Sequence, residues 1–265
     1  MSPLELIESR KSSTDLARRL TDPAVTSAPR PGARPSRYEV PHPPSIPSWK
    51  RGLDVFLILL ATPFLGPIMI LITLAIKLVS KGPILFRQHR IGYAGREFEL
   101  LKFRTMRADA DAQVHNDHLD KLIESEAPMT KLDHLDSRLI PGGRWLRATG
   151  LDELPQLFNI FRGEMSLVGP RPCMPYEFAR YDASQRCRFG ALPGLTGLWQ
   201  VSGKNRLSFS EMIGLDVCYV NKSSLLLDLK ILIKTPRAIL TQVRDTARLR
   251  QAALKGEPAT GRPAV

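Results

Sequence analysis

The apolar positions of this chain fall into one long block, one alternating stretch and several helical stripes. The block is WKRGLDVFLILLATPFLGPIMILITLAIKLVSKG, residues 49–82, with Asp54 and Lys77 the only charges between Leu53 and Val79. As a straight helix this apolar run would be about 40 Å long, enough to cross a bilayer, and a single transmembrane helix is its ordinary reading. Three details favour another course. Pro63 and Pro67 fall mid-run beside Gly66, where each proline removes a backbone donor and crowds the preceding turn. The arms on either side are then about 15–20 Å each, half a bilayer. Both flanks are basic, Lys50 and Arg51 before and Lys77 and Lys81 after, which prefers both ends on the cytoplasmic side. The pattern predicts a re-entrant helix hairpin bent at Thr62-Pro63, with the Thr62 hydroxyl bonding a carbonyl freed by the break.

The alternating stretch follows. PILFRQHRI and REFELLKF, joined by YAG, predict a β-hairpin over 83–107. Residues 108–136 are charged and helical in tendency, and His115 and His118 there read as solvated rather than metal-binding. A helix is predicted after LDELPQL: Asp152 caps it, Pro155 sits in its first turn and Gly163 ends it. Leu154, Leu157, Phe158 and Phe161 form its expected buried stripe. SLVGPRP (166–172) reads as a short strand entering a rigid loop, and PGLTGLWQVSGKNR (193–206) as a glycine-punctuated segment. The last predicted helix, 224–243, gathers Lys230, Lys234 and Arg237 on one stripe. That suits a helix lying in a membrane interface, and equally an ordinary amphipathic surface helix. The fold expected is α+β and mostly helical. Its parts are a Pro-rich disordered tail (1–48), the membrane hairpin (49–82), a small cytoplasmic catalytic domain with a β-hairpin and interfacial amphipathic helices (83–245), and a disordered tail (246–265).

Charge changes this picture. The chain of 265 residues carries a formal charge of +12, which implies an anionic partner: nucleic acid, phosphorylated ligand or anionic membrane surface. Aromatics are only 7% and no nucleic-acid motif is present, so no nucleic-acid partner is expected. The three cysteines, Cys173, Cys187 and Cys218, have no CxxC spacing and do not make a disulfide framework. No Walker loop, GxGxxG fingerprint or Ser-His-Asp order is found. What remains is the acidic pair Asp152-Glu153 at a helix start, with cations beside turn residues at Lys102, Arg104, Arg147, Arg171 and Arg206. An ionised aspartate there, with a divalent cation and several cations on the phosphates, suits attack on a phosphoryl group.

From about Lys50 to Ile239 these residues resemble the bacterial sugar transferases, the polyprenyl-phosphate phosphoglycosyl transferases with one membrane-inserted domain. The resemblance rests on KRGLDVFLILLATPFLGP, GPILFRQHRIGYAGREFELLKFRTM, LRATGLDELPQLFNIFRGEMSLVGPRP, PGLTGLWQVSGKN and LLLDLKILIKT, in that order. It implies Asp152 as nucleophile on a UDP-sugar, UMP release, an aspartyl-phosphosugar intermediate, and transfer to undecaprenyl phosphate at the cytoplasmic face of the bacterial inner membrane. It further implies Mg²⁺ shared by Asp152 and Glu153, and phosphate or substrate contacts at Lys102, Arg104, Arg147, Arg171, Gln200, Asn205 and Arg206. The family's helix break falls on Thr62-Pro63. Where the family commonly has Ser before the dyad and Arg in GRN, this chain has Gly150 and Lys204. Gly150 is expected to loosen the loop that positions Asp152. The alternative is a non-catalytic membrane scaffold binding nucleotide-sugar or partner proteins.

Overall fold

The structure, a computed structural model, describes residues 43–107 and 138–254. Both expected tails up to residue 42 and beyond 254, together with His115 and His118, lie outside the described residues. The long apolar block forms one helix, α1 (Ser48–Val79). Among the described residues it alone is long and apolar enough to cross a membrane. It runs through Pro63 and Pro67 as one element, so the expected interruption does not appear as a gap in the helix. The Thr62 hydroxyl donates to Ile58 O at 2.7 Å, one residue short of the Leu59 carbonyl that loses its partner to Pro63. A back-bonded threonine of this kind bends a helix without ending it.

Lys50, Asp54, Ile58, Ile72 and Ile76 make the buried stripe of α1. Phe56, Leu60, Phe64, Ile70, Leu71 and Leu78 are exposed on the remaining surface, a patch too apolar for water. Ile58 is buried in one cluster with Leu100, Ile160 and Met165, and Ile76 in another with Phe103, Ile140 and Leu146. Both halves of α1 therefore share buried clusters with residues of β2.

That hairpin is as expected. Strand β1 (Leu85–Ile91) pairs antiparallel with β2 (Glu97–Phe103), from Leu85 opposite Phe103 to Ile91 opposite Glu97. Tyr93–Gly95 forms the turn, with Ala94 and Gly95 both at positive φ. After the undescribed residues come α2 (Gly143–Thr149), a 3-10 turn (Leu151–Glu153), α3 (Gln156–Arg162) and β3 (Ser166–Val168). Short helices α4 (Pro175–Phe178) and α5 (Ala183–Arg186) precede β4 (Gly194–Thr196) and α6 (Leu198–Val201). Two longer helices close the chain, α7 (Phe209–Lys222) and α8 (Leu225–Leu254).

The core of the domain is built on α7. Phe209, Met212, Ile213 and Leu215 are buried there with Phe178, Tyr181, Phe189 and Trp199. Ser208 caps α7 reciprocally with Glu211, satisfying donors at both residues. Helix α8 runs on to Leu254, past the expected end at 243, and Pro236 lies inside it.

Strands β3 and β4 run parallel, Ser166 opposite Gly194 and Val168 opposite Thr196. Their continuation requires glycine. A Cβ on Gly194 would sit 2.0 Å from the Gly169 nitrogen and 2.3 Å from the Thr196 carbonyl oxygen, backbone atoms that cannot turn aside. Gly194→Ala is therefore expected to cost at least the 1–3 kcal/mol typical of overpacking. Chemical denaturation of the detergent-solubilised protein checks it, and native stability in that variant would contradict the close approach.

Candidate functional site

Helix α2 ends at Gly150, whose φ of 74° is the left-handed conformation that glycine adopts without penalty. The chain turns there into Leu151–Glu153, which carries both acids. Gly150 thus fits this backbone rather than merely loosening it. Asp152 does not cap α3, because Pro155 occupies the N-cap position and α3 begins at Gln156. Both acids lie in the 3-10 turn before α3 and differ in burial. Asp152 is 5% exposed, whereas the Glu153 carboxylate is half-buried and pairs with Lys102 Nζ at 3.0 Å. Lys102 reaches it from β2, so the hairpin supplies the first cation at the dyad.

The expected stripe of α3 is corrected in part. Gln156, Asn159 and Ile160 are buried, while Phe158 and Phe161 are more than half exposed. Asn159 explains the rotation. Its amide accepts from Leu101 N at 3.0 Å and donates to Glu99 O at 2.7 Å, fastening α3 to β2. A polar side chain that matches the strand backbone outcompetes two phenylalanines for the inner face. Gly163 ends α3 as expected, with φ 83° and its N–H on Asn159 O and Ile160 O.

Arg104 is 5% exposed, donates to Ser80 O at 3.0 Å, and lies where a Cβ on Gly82 would come within 2.3 Å of Nη1. Its guanidinium closes the C-terminal end of α1. Arg147 stands in the last turn of α2, half-buried, directly before the dyad. Gln200 lies on α6, and Asn205 and Arg206 lie in the 3-10 turn Lys204–Arg206. Arg206 pairs with Asp245 of α8 at 3.5 Å.

Arg171 lies in the loop after β3, where its Nη1 donates to Glu177 Oε2 at 2.9 Å. Glu177 is fully buried, and Arg90 Nη1 stands 3.8 Å from its other oxygen. Burial pushes the Glu177 carboxyl up, but Arg171 and Arg90 together outweigh it and hold the group below the ordinary glutamate range. Arg188 forms a second buried pair with Asp216 and also donates to Arg171 O at 2.8 Å. Asp216 in turn accepts from Arg171 N at 3.1 Å. These charges hold the GPRP loop from both sides.

A third group lies at the base of α1. Lys50 Nζ donates to Asp228, to Tyr219 OH and to Val168 O. Asp54 accepts from Ser166 Oγ and Leu167 N, each at 3.0 Å. Arg51 donates to Ile160 O and Phe161 O, the last carbonyls of α3. The first turns of the membrane helix thus hold the end of α3, strand β3 and the start of α8. Sequence reasoning treated Lys50 and Arg51 as topogenic flanks and passed over Asp228, Glu177, Arg188 and Asp216. One signal was available: Asp54 and Asp228 are lone acids within apolar runs, and a charge there needs a partner.

Adjacent acids on a tight turn, a lysine paired with one of them and a long apolar helix joined to the same scaffold are the features to set beside known proteins. Residues 46–242 match the family model of the bacterial sugar transferases. The chain is 41% identical over 192 residues to the exopolysaccharide production protein ExoY of Sinorhizobium fredii, covering 72% of this chain and 84% of that protein. It is 40% identical over 200 residues to the UDP-glucose:undecaprenyl-phosphate glucose-1-phosphate transferase of Caulobacter vibrioides, covering 72% of this chain and 70% of that one. Against the galactosyl transferase CpsE of Streptococcus agalactiae identity is 42% over 165 residues, only 35% of that longer protein. The chain belongs to the bacterial sugar transferase family and is an enzyme of that class.

Proposed function

We propose that this enzyme is a phosphoglycosyl transferase that moves a sugar 1-phosphate from a UDP-sugar, UDP-glucose or UDP-galactose, to undecaprenyl phosphate, in the first membrane step of exopolysaccharide synthesis. The observation that carries this is the buried Asp152 beside the Lys102-paired Glu153, on a turn built next to a membrane helix. In the first half-reaction an Asp152 carboxylate oxygen attacks the β-phosphorus. The bond from that phosphorus to the bridging oxygen breaks, and UMP leaves with the electron pair. In the second, a phosphate oxygen of the lipid attacks the aspartyl-phosphosugar. The polyprenyl-diphospho-sugar forms and the carboxylate is restored.

The donor set suits Mg²⁺, which takes hard oxygen ligands and is usually held by one or two carboxylates plus substrate phosphates. Asp152 and Glu153 would hold it, where it would offset charge on the diphosphate. Lys102 orients Glu153, and Arg147, beside the turn, is assigned to phosphate.

The membrane arrangement supports the same reading. Leu100 and Phe103 are about 10 Å apart along β2, whereas Ile58 and Ile76 would be about 27 Å apart on a straight helix. Ile58 shares one buried cluster with Leu100 and Ile76 another with Phe103, which favours an α1 bent near Thr62-Pro63 into a shallow re-entrant hairpin. Exposed Phe158, Phe161, Leu226, Leu229 and Ile233 then meet lipid, with Lys230, Lys234 and Arg237 toward anionic headgroups. The catalytic domain stands at the cytoplasmic face of the inner membrane, where lipid phosphate and soluble donor meet without extraction of the lipid.

Nucleotide release tests the reaction. The purified enzyme with Mg²⁺, a panel of UDP-sugars and undecaprenyl phosphate is expected to release UMP, and a single sugar should support it. UDP as product would refute phosphoglycosyl transfer.

A further inference from the structure

The carbonyls of a helix's last turn have no partner within the helix. In α2 these groups stand directly before the acidic dyad, and they are satisfied in two ways. Thr149 Oγ1 bonds Trp145 O at 2.9 Å and Leu146 O at 3.1 Å. The next two carbonyls, of Arg147 and Ala148, accept from Gln242 Nε2 at 3.4 and 3.3 Å. Gln242 is 7% exposed and lies past the middle of α8. Asp228, Ile231, Thr235, Ala238, Gln242 and Asp245 share the inner stripe of α8 at alternating spacings of three and four. A buried amide on such a stripe is costly unless its donors and acceptor are used.

The other end of the same amide is used as well. Gln242 Oε1 accepts from Lys204 Nζ at 2.6 Å. Lys204 follows Gly203 in the GKNR turn and holds φ at 34°, a conformation rare for a residue with a Cβ. One turn along α8, Asp245 grips Arg206 of the same turn at 3.5 Å. The family match ends at residue 242, so Asp245 lies beyond it.

We infer that Gln242 is a positioning residue: α8 acts as a strut whose one amide ties the end of α2, from which the acidic turn springs, to the Lys204–Arg206 turn and fixes the spacing between them. Asp245 completes the hold on the turn. Lys204 supplies the donor that reaches the Gln242 amide oxygen. The inference rests on the phosphoglycosyl transferase reading for its catalytic consequence only, since the strut itself is a property of the fold.

The test uses the full chain in lipid nanodiscs and needs no substrate for its first half. Hydrogen exchange is compared between the native protein, Gln242→Glu, Gln242→Ala and Lys204→Met. A glutamate still accepts from Lys204 but donates to neither carbonyl. Exchange is therefore expected to rise about tenfold in peptides covering 147–153 alone for Gln242→Glu, and in 203–207 alone for Lys204→Met. Both regions should respond in Gln242→Ala, with β1 and β2 unchanged in every variant. Unchanged exchange at 147–153 in both Gln242 variants overturns the strut, and so does acceleration spread evenly over the chain. In turnover, Gln242→Glu should lower kcat about tenfold with donor KM within twofold, a split that a general loss of folded protein would not give. Native kcat in that variant overturns the positioning role. Absence of turnover in the native protein with every donor tried would instead count against the reaction, leaving the exchange pattern to decide the strut.

Discussion

Asp152→Asn is expected to slow nucleotide release about 10⁴-fold or more while leaving the protein folded and in the membrane. The substitution is isosteric and removes a charge from a site that is only 5% exposed, so it should not destabilise the 3-10 turn. What it removes is the nucleophile, because an amide oxygen does not form a stable phosphoryl ester under these conditions. With a UDP-sugar labelled in the sugar and no lipid acceptor, the native chain should retain label covalently and Asp152→Asn should not. Glu153→Gln should be milder, about 10²–10³-fold, since Glu153 holds and orients rather than attacks. Full turnover in Asp152→Asn would exclude the covalent mechanism. Loss in both variants of membrane association or of the native melting point would mean that the acids serve the fold.

Asp228→Ala is expected to cost about 3–5 kcal/mol of stability, the usual consequence of leaving a buried charge without its partner. Lys50 is 5% exposed and Asp228 wholly buried, so water does not replace the lost carboxylate. The lysine also donates to Tyr219 OH and Val168 O, and these neutral acceptors do not balance its charge. The Lys50→Met, Asp228→Leu double variant should recover most of the loss, because it removes both charges and fills the space. Denaturation of the three proteins in one detergent measures the cycle. A single variant within about 0.5 kcal/mol of native would show that the pair does not join the membrane helix to the domain.

Much of this was legible in residue order. The membrane block, the β1–β2 hairpin with its turn at Tyr93–Gly95 and the Gly163 stop of α3 follow from runs, alternation and a left-handed glycine. Helix α7 was not among the predicted elements, although its start, Ser208 with Glu211 three residues on, is a capping signal. The acidic pair and Lys102 stood out because charges beside turns need a reason, and the fold brings Lys102 and Glu153 to 3.0 Å.

Other features were beyond the reach of pattern. Helical spacing put Phe158 and Phe161 inside, yet Asn159 fixed α3 on β2 and turned them outward. Periodicity counts apolar side chains and is blind to an amide that completes a strand's hydrogen bonds. Arg171 and Arg104 looked like equal candidates in sequence. The structure gives Arg171 of the GPRP loop to Glu177 on α4 and Arg104 to Ser80 at the end of α1. By itself the sequence determined the long apolar helix, the β1–β2 hairpin and the stop of α3, and singled out the candidate residues for the chemistry, because those depend on neighbours within a turn or two. Tertiary structure alone decided which buried polar groups pair, since Lys50 with Asp228, Arg188 with Asp216 and Gln242 with Lys204 are joined by chain closure across the fold. Pairing of that kind is set by burial, where an ion or amide takes the partner that the packed core places within reach.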